Sequence, residues 1–147
     1  MSEELKYVPS PRYIVSLWFR KILVPIDGSG LATKALDLAI DFAKRYGSKI
    51  TALYIIPDHV SEDIAEPIKK SVIERQEKSG IKIEFKIRRM RFPASSIAKE
   101  IINEAEEGLY DAILLGARGL SGEEEIPIGS IATAVAILAP CTVIIVR

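Results

Sequence analysis

The sequence predicts an α/β fold, in which a mainly parallel sheet carries helices on both faces. From residue 21 onward, short apolar runs alternate with amphipathic stretches through five strands. The amphipathic stretches repeat their apolar residues at helical spacing, and serine, proline and glycine stand where such helices begin and end. A chain of 147 residues, 48% of them apolar, suffices for one core. We expect residues 1–20 to form an N-terminal extension and residues 21–147 the domain.

The elements follow one another as strand, helix, strand, helix. The strand-like runs are, in order, KILVPI, KITALYII, IKIEFKI, DAILLG and TVIIVR. The helical stretches between them are LATKALDLAIDFAKRYG, EPIKKSVIERQEKSG, PASSIAKEIINEAEEG and SIATAVAILA. Strands joined in this way by helices pair in parallel through right-handed crossovers.

Helix faces and helix ends agree with this assignment. One face of the first helix is predicted to be apolar through Leu31, Ala35, Leu38, Ala39 and Phe42. The corresponding face of the third helix comprises Ile97, Ala98, Ile101, Ile102 and Ala105. Predicted helix starts are Ser29 as an N-cap and Pro67 and Pro93 in first turns, and predicted stops are Gly47, Gly80 and Gly108.

Two strands have the character of sheet edges. IKIEFKI alternates apolar with charged residues, as a partly solvated strand does. The last strand, TVIIVR, is apolar without a protective charge before Arg147, so we expect it to be covered by the same strand of a second subunit. The sequence thus predicts a homodimer formed through residues 142–147.

The fourth helix, SIATAVAILA, is almost wholly apolar and predicts cover on more than one side. A candidate cover is the N-terminal extension, whose apolar residues are Tyr13, Ile14, Val15, Leu17, Trp18 and Phe19. The run YIVSLWF is too short to span a bilayer, and MSEELK is not a basic signal-peptide start. The sequence therefore predicts no membrane partner.

Charge and cysteine content argue against a nucleic-acid-binding protein and against a disulfide-bonded protein. Twenty Lys and Arg balance twenty Asp and Glu, and the basic run KIRRMR at residues 86–91 has no interleaved aromatic residues, which argues against nucleic acid. The single cysteine, Cys141, excludes an internal disulfide framework and suits a reducing compartment, so we expect a cytoplasmic protein. Cys141 at a strand start and the lone His59 are interpreted as core and surface residues, with no metal site.

Two loops at strand ends carry the chemistry that the sequence offers. PIDGSG places Asp27 at the tip of the first strand, either to contact a ligand or to cap nearby amides. GARGLSGEEEIPIGS follows the fourth strand and holds Gly116, Gly119, Gly122 and Gly129 before a helix start. Glycines allow close backbone approach, and the helix N-terminus near Ser130 offers free N–H groups, a capping hydroxyl and a positive dipole end. The stretch therefore predicts a phosphate cradle.

The residue spacing excludes two other known phosphate-binding motifs. GSGLATK has no adjacent Gly-Lys-Ser/Thr, so it is not a P-loop. GSGLAT has Thr33 in place of the third glycine of a dinucleotide fingerprint, and Asp27 would face the pyrophosphate.

The spacing Gly116, two residues, Gly119, nine residues, Gly129-Ser130 resembles the Gly-x2-Gly-x9-Gly-Ser/Thr motif of ATP-binding universal stress proteins. KILVPIDGS and APCTVIIVR are similar to the opening and closing strands of that family, and the resemblance covers residues 21–147. It implies a flavodoxin-like, Rossmann-like sheet of order 3-2-1-4-5, dimerisation through the last strand, and ATP or a related adenine nucleotide as ligand.

The resemblance also implies a role for each site residue. Pro25 and Asp27 would border the adenosine, Ile55 would meet adenine through its backbone, Leu115 would wall the base, and Gly116 would meet the ribose. The residues that would hold the phosphates are Gly119, Gly129, Ser130 and Ile131.

The loop departs from its relatives in the acidic run Glu123, Glu124 and Glu125, most simply a solvated run. Carboxylates near phosphates would repel them, and Arg118 or a bridging Mg²⁺ would offset this.

We predict a regulatory nucleotide-binding module with absent or slow catalysis, because no residues are spaced as nucleophile and base. Two alternatives stay open: a slow metal-dependent nucleotide hydrolase using Asp27 or the glutamates, and a nucleotide-free dimeric adaptor whose loop is closed by them.

Overall fold

The computed structural model describes residues 19–119 and 128–147, which form one five-stranded sheet and four α-helices. The strands are β1 (Lys21–Pro25), β2 (Lys49–Pro57), β3 (Ile83–Met90), β4 (Ala112–Gly116) and β5 (Thr142–Val146). The helices are α1 (Gly30–Tyr46), α2 (Glu66–Ser79), α3 (Ile97–Glu107) and α4 (Ser130–Leu138), with a 3₁₀ turn (Glu62–Ala65) before α2.

All strand pairs are parallel, and the strand order is β3-β2-β1-β4-β5. The predicted α/β class and the order implied by the resemblance are both confirmed. β3 and β5 are the two edges of the sheet, as their sequences predicted. The chain winds outward from β1 to β3 and then crosses back to β4, so the direction of winding reverses between β1 and β4.

Two helices cover each face of the sheet. Alternate residues of β1 point to opposite faces: Ile22 and Val24 join the core beneath α1 and α2, whereas Leu23 joins the core beneath α3 and α4. The three side chains are fully buried. A sheet covered on both faces has continuously apolar central strands, which explains the apolar runs of the sequence.

Helix α1 packs on the sheet through a narrow stripe of small residues. Its buried residues are Ala32, Ala35, Leu36, Ala39, Ile40 and Ala43. The predicted burial of Ala35 and Ala39 is confirmed, but Leu31, Leu38 and Phe42 are only partly buried. The four alanines let the helix axis approach the sheet closely, and the larger side chains are displaced to its flanks. There the Phe42 ring lies 4.9 Å from the ring centroid of Phe19.

Most of the predicted helix ends are confirmed. Ser29 caps α1, with its hydroxyl oxygen accepting a hydrogen bond from the Ala32 N–H at 3.2 Å. Gly47 and Gly80 end α1 and α2 in the left-handed conformation, with φ of 72° and 73°, which favours glycine. Gly108 ends α3, and Pro67 lies in the first turn of α2.

The start of α3 was predicted wrongly at Pro93. Pro93 lies in a turn closed by a hydrogen bond from the Ser95 N–H to the Arg91 carbonyl, at 2.8 Å. The helix begins at Ile97, because the Ser96 hydroxyl accepts from the Lys99 N–H at 3.1 Å and caps it there. The predicted face of α3 is buried at Ala98, Ile101 and Ala105, whereas Ile97 is exposed and Ile102 half-buried.

The far end of α4 is exposed. Ala132 and Val135 are its buried residues, whereas the Ile137 and Leu138 side chains are 74% and 63% exposed. The predicted cover lies outside the described residues except for Phe19, which packs on α1 instead.

Cys141 lies just before β5 and is only half-buried, and burial together with Asp111 raises the pKa of its thiol.

Candidate functional site

A cavity of about 320 Å³ opens where the winding of the sheet reverses. Its walls come from the carboxyl ends of β1, β2 and β4 and from the first turns of α1, α3 and α4. In open α/β sheets this is the position at which ligands bind. The lining residues are Pro25, Ile26, Asp27, Ser29, Ala32, Leu53, Tyr54, Ile55, Ile97, Ile101, Leu115, Gly116, Ala117, Arg118, Gly119, Gly129, Ser130, Ile131 and Ala132.

Every site residue expected from the sequence lines this one cavity. They come from four separate stretches of chain, which only the fold brings together. They are Pro25, Asp27, Ile55, Leu115, Gly116, Arg118, Gly119, Gly129, Ser130 and Ile131. The role of each toward a ligand stays a prediction.

Asp27 lies directly against the glycine loop. Its Oδ1 accepts a hydrogen bond from the Ser29 N–H at 2.9 Å, so the carboxylate braces the turn that leads into α1. Its Oδ2 lies 2.7 Å from the position that a Cβ atom on Gly119 would occupy. The loop backbone passes so close to the carboxylate because residue 119 has no side chain.

Gly116 serves the packing of the fold. A Cβ atom at this position would lie 2.9 Å from the Leu31 Cβ and 3.0 Å from the Ala32 backbone nitrogen. The end of β4 and the start of α1 therefore touch through their backbones, which requires a residue without a side chain.

The base of the loop is closed by backbone hydrogen bonds. The Gly129 N–H donates to the Ala117 carbonyl at 2.6 Å, and the Ala117 N–H donates to the Val146 carbonyl at 2.8 Å. These bonds hold Gly119 and Gly129 at one end of the cavity. The rest of the loop, residues 120–127 with Glu123, Glu124 and Glu125, lies outside the described residues.

Three helices begin at the cavity, and they differ in how their first N–H groups are satisfied. Serine side chains cap α1 and α3, whereas no side chain in the described part of the chain caps α4. The N-cap of α4 is Gly129, with φ −74° and ψ 168°, and Ser130 is the first helical residue. The prediction that Ser130 caps this helix is therefore wrong, because the helix starts one residue earlier. Its hydroxyl is not used in capping.

The opposite end of the cavity is apolar and is bordered by a strand edge. Pairing of β1 with β2 ends at Pro25 and Leu53, and the Ile26 N–H donates to the Leu53 carbonyl at 2.9 Å. Alternate residues of a strand direct their N–H and C=O groups to the same side. The backbone groups of Ile55 thus point past the end of β1, beside the side chains of Ile97 and Ile101.

Charged groups are few around the cavity. Of the described lining residues, Asp27 and Arg118 carry charges at neutral pH, and Tyr54 is the one other ionisable side chain. No group of three or more metal-ligating side chains is found in residues 19–119 and 128–147. Within the same residues, no helix is long and apolar enough to cross a membrane.

The sequence analysis missed the apolar wall. Ile97 and Ile101 were assigned to the core face of the third helix, because a residue lining a cavity and one lining the core have the same helical spacing. Leu53 and Tyr54 were assigned to the strand KITALYII, in which a residue at the cavity looks no different from one in the core. Their closeness to the strand end was the available signal.

A doubly wound parallel α/β domain with an open cavity at its switch point is a ligand-binding class of fold. Comparison with known proteins makes this specific. The chain belongs to the universal stress protein family, whose family model matches residues 19–147. It is 31% identical to the universal stress protein YxiE of Bacillus subtilis, over 88% of this chain and 99% of that protein.

Solved structures of the family have the same fold. The universal stress protein UspA of Lactobacillus plantarum is 25% identical, with a TM-score of 0.73 over 88% of this chain and 98% of that one. The universal stress protein of Archaeoglobus fulgidus solved in complex with dAMP is 20% identical, with a TM-score of 0.68 over 89% and 99% of the two chains.

Proposed function

We propose that this protein binds ATP or a related adenine nucleotide in the switch-point cavity and acts as a regulatory module with little or no turnover. One observation carries the proposal: the cavity has two chemically different ends. One is an apolar slot beside a strand edge, and the other is a glycine-rich cradle at the start of α4, a helix that no described side chain caps. A purine joined to a phosphate chain needs both.

The apolar end suits adenine. The backbone of Ile55 offers one donor and one acceptor at the edge of β2, which matches the amino group of adenine and its neighbouring ring nitrogen. Guanine has a carbonyl oxygen in place of that amino group and would face the Ile55 carbonyl with a second acceptor. An acceptor facing an acceptor costs about 1–3 kcal/mol, so we expect ATP to bind about 5- to 150-fold more tightly than GTP.

The other end suits phosphate. The N–H groups of Ser130 and Ile131 lie in the first turn of α4, where the helix dipole is positive. Nothing in the described part of the chain requires glycine at position 129, because φ is −74° and a Cβ atom would lie 3.4 Å from its nearest described neighbour, the Ala117 carbonyl oxygen. A glycine that packing does not require is consistent with close approach of a ligand.

A relative supports the ligand class, since the universal stress protein of Archaeoglobus fulgidus was solved in complex with dAMP. Little turnover is expected here, because Asp27 is the one carboxylate among the described lining residues and its Oδ1 is engaged by the Ser29 N–H. Where Mg²⁺ accompanies the nucleotide, Asp27 would supply one oxygen ligand and the phosphates others, which suits this ion.

The test compares two glycine substitutions at helix starts. Gly129→Ala would place a methyl group in the phosphate cradle, whereas Gly30→Ala places one at the start of α1 with nothing within 4 Å. Gly30→Ala should keep the melting temperature of the wild type, and Gly129→Ala should lower it slightly, because alanine is a poorer N-cap residue than glycine. Both variants should be folded at the temperature of the titration. By titration calorimetry, we expect Gly129→Ala to weaken ATP about tenfold or more, the effect of losing about one phosphate contact, and Gly30→Ala to bind as the wild type does.

Two results would count against the proposal. A wild-type chain that binds none of ATP, ADP and AMP, with or without Mg²⁺, would favour the nucleotide-free adaptor. Release of ADP from ATP at a steady rate, lost in Asp27→Ala, would favour the hydrolase.

We also propose a homodimer through β5. This edge strand is apolar and half-buried, and the exposed Ile137 and Leu138 lie on the neighbouring helix. The Val146 carbonyl faces β4, where it accepts from the Ala117 N–H, so the N–H of Val143 points to the open edge. Contiguous apolar surface of this kind marks an interface.

Val143→Pro removes this outward donor and leaves the pairing with β4 intact, as proline does on an edge strand. Val143→Thr is the matched control, since it keeps the N–H group and the side-chain shape. In sedimentation analysis we expect a monomer for Val143→Pro and a dimer for Val143→Thr. A wild-type monomer at micromolar concentration would refute the dimer.

A further inference from the structure

Two residues of the basic run at 86–91, Lys86 and Arg88, are paired with helix α3 by a network of ion pairs. The Arg88 side chain, 19% exposed, reaches three carboxylates of α3. Its Nε lies 2.7 Å from Glu100 Oε1, and its Nη1 lies 3.0 Å from Glu104 Oε1 and 2.6 Å from Glu107 Oε2. The three glutamates follow one another at spacings of four and three residues, so they share one face of the helix.

Further side chains complete the network around Glu104, which is only 1% exposed. The Lys86 ammonium lies 2.9 Å from its carboxylate, and the Tyr110 hydroxyl donates to its Oε2 at 3.0 Å. Burial is the main cause that raises the pKa of Tyr110 to about 12, so this hydroxyl keeps its proton at neutral pH. The buried carboxylate therefore has three donors around it.

Arg88 favours the ionised forms of Glu100 and Glu107. Burial opposes ionisation of Glu100, but hydrogen bonds from Arg88 and Ser95 outweigh it and hold the pKa of that carboxyl below its usual value. The hydrogen bond from Arg88 likewise lowers the pKa of Glu107. The bonds of Arg88 to Glu100 and Glu107 are thus formed between charged groups, and such hydrogen bonds are shorter and stronger than neutral ones.

The same turn of α3 forms the apolar wall of the cavity. Ile97 and Ile101 line the cavity, and Glu100 and Glu104 lie three residues after each of them. Arg88 also pairs in register with Ile55, the residue whose backbone edge is assigned to the base. Arg88 thus lies on β3 next to Ile55, which forms one side of the apolar slot. Its guanidinium group bonds α3, which forms the other side.

We propose that Arg88 is a positioning residue for base recognition. By holding three carboxylates of α3 against β3, it fixes the rotation of the helix and the distance between Ile97 and Ile101 on one side and Ile55 on the other. The inference rests on the proposed function and extends it, because it assigns the selectivity for the base to a side chain that does not line the cavity.

The test uses Arg88→Lys, which keeps the charge but replaces the planar fork by a single ammonium group that cannot bridge three carboxylates. Arg75→Lys is the matched control, because Arg75 is paired with Asp37 at 2.9 Å on the opposite face of the sheet. Both variants and the wild type are titrated with ATP and with inorganic tripolyphosphate. The ratio of the two affinities measures the contribution of the adenosine.

We expect Arg88→Lys to lower the affinity for ATP about tenfold, the size of one well-made hydrogen bond, and to leave that for tripolyphosphate unchanged. Arg75→Lys should change neither. A structural role alone would weaken both ligands in proportion to the unfolded fraction, or leave the ratio as it is, and either result would overturn the inference.

A second variant serves if Arg88→Lys does not fold. Glu107→Gln removes one carboxylate of the network at a side chain that is 65% exposed, so folding is not at risk. The affinity ratio should fall in the same direction, by about two- to threefold for one weakened partner; an unchanged ratio would overturn the inference. The inference would also be overturned if the wild type bound ATP no more tightly than tripolyphosphate. A wild type that bound neither ligand would refute the proposed function itself.

Discussion

The two ends of the cavity are built by different means. The ends proposed for phosphate and for base are called the phosphate end and the base end. At the phosphate end, the surface consists of backbone: Gly119, Gly129 and the start of α4, which no described side chain caps. At the base end it consists of side chains, Ile97 and Ile101, on a helix that Arg88 ties to the neighbouring strand. The phosphate end depends on where glycines stand in the chain, and the base end depends on packing.

This difference implies different responses to substitution. Packing at the base end contributes to the stability of the fold, so changes there should alter stability and affinity together. No side chain in residues 19–119 and 128–147 caps the backbone amides at the phosphate end, so changes there should alter affinity more than stability. Three predictions follow this contrast, in decreasing order of expected effect.

The largest effect is expected at Ile101, which is 1% exposed. Ile101→Ala leaves a cavity in the core and should lower the free energy of unfolding by about 2–5 kcal/mol, measured by urea denaturation. It should also lower the ratio of ATP to tripolyphosphate affinity. Ile102→Ala, a half-buried neighbour that does not line the cavity, is the control. If both variants lost the same stability and kept the wild-type ratio of ATP to tripolyphosphate affinity, Ile101 would not contribute to binding the base.

Two serines at helix starts should behave in opposite ways. Ser29 caps α1, so Ser29→Ala should cost about 1 kcal/mol of stability. Ser130 caps nothing, so Ser130→Ala should leave stability within about 0.5 kcal/mol, as for an ordinary surface change, while weakening tripolyphosphate a few-fold. Thermal unfolding and calorimetry measure the two quantities. A Ser130→Ala variant that loses stability and keeps its affinity would reverse the assignment.

Acid should act on the base end first, with the smallest effect of the three. The pKa of Glu100 is lower in the folded protein than its ordinary value of about 4.3. Its stabilising contribution is therefore fully present above that value and is lost as the pH falls through the lower, folded pKa. Urea midpoints between pH 6 and pH 3 should fall less steeply for Glu100→Gln than for the wild type. Parallel curves would show that the carboxylate contributes no such dependence.

The sequence predicted the fold well, and its glycine motif predicted residues that the fold gathers at one cavity. The reason is physical. Alternating periodicities and caps such as Ser29 and Gly47 are local, and Gly116 and Gly119 reflect close backbone approaches that only glycine allows. The resemblance supplied the strand order.

Long-range packing could not be predicted in the same way. The carboxylates Glu100 and Glu104 appear as ordinary polar residues of an amphipathic helix, and only the fold brings them to Arg88, twelve and sixteen residues away. The start of α3 was predicted too early, at Pro93, because Ser96 is the better N-cap. Ser130 was predicted to be the N-cap of α4, but helix ends are predicted only to within a residue or two and the N-cap is Gly129.

The most direct test of the central claim is to follow backbone amide shifts of the labelled wild-type protein by NMR during titration with ATP. We predict saturable shifts at both ends of the cavity, at Ile55 and at Gly119, Gly129, Ser130 and Ile131. No shifts at millimolar ATP, or shifts confined to another surface such as the groove between α1 and α2, would contradict the claim that this cavity binds the nucleotide.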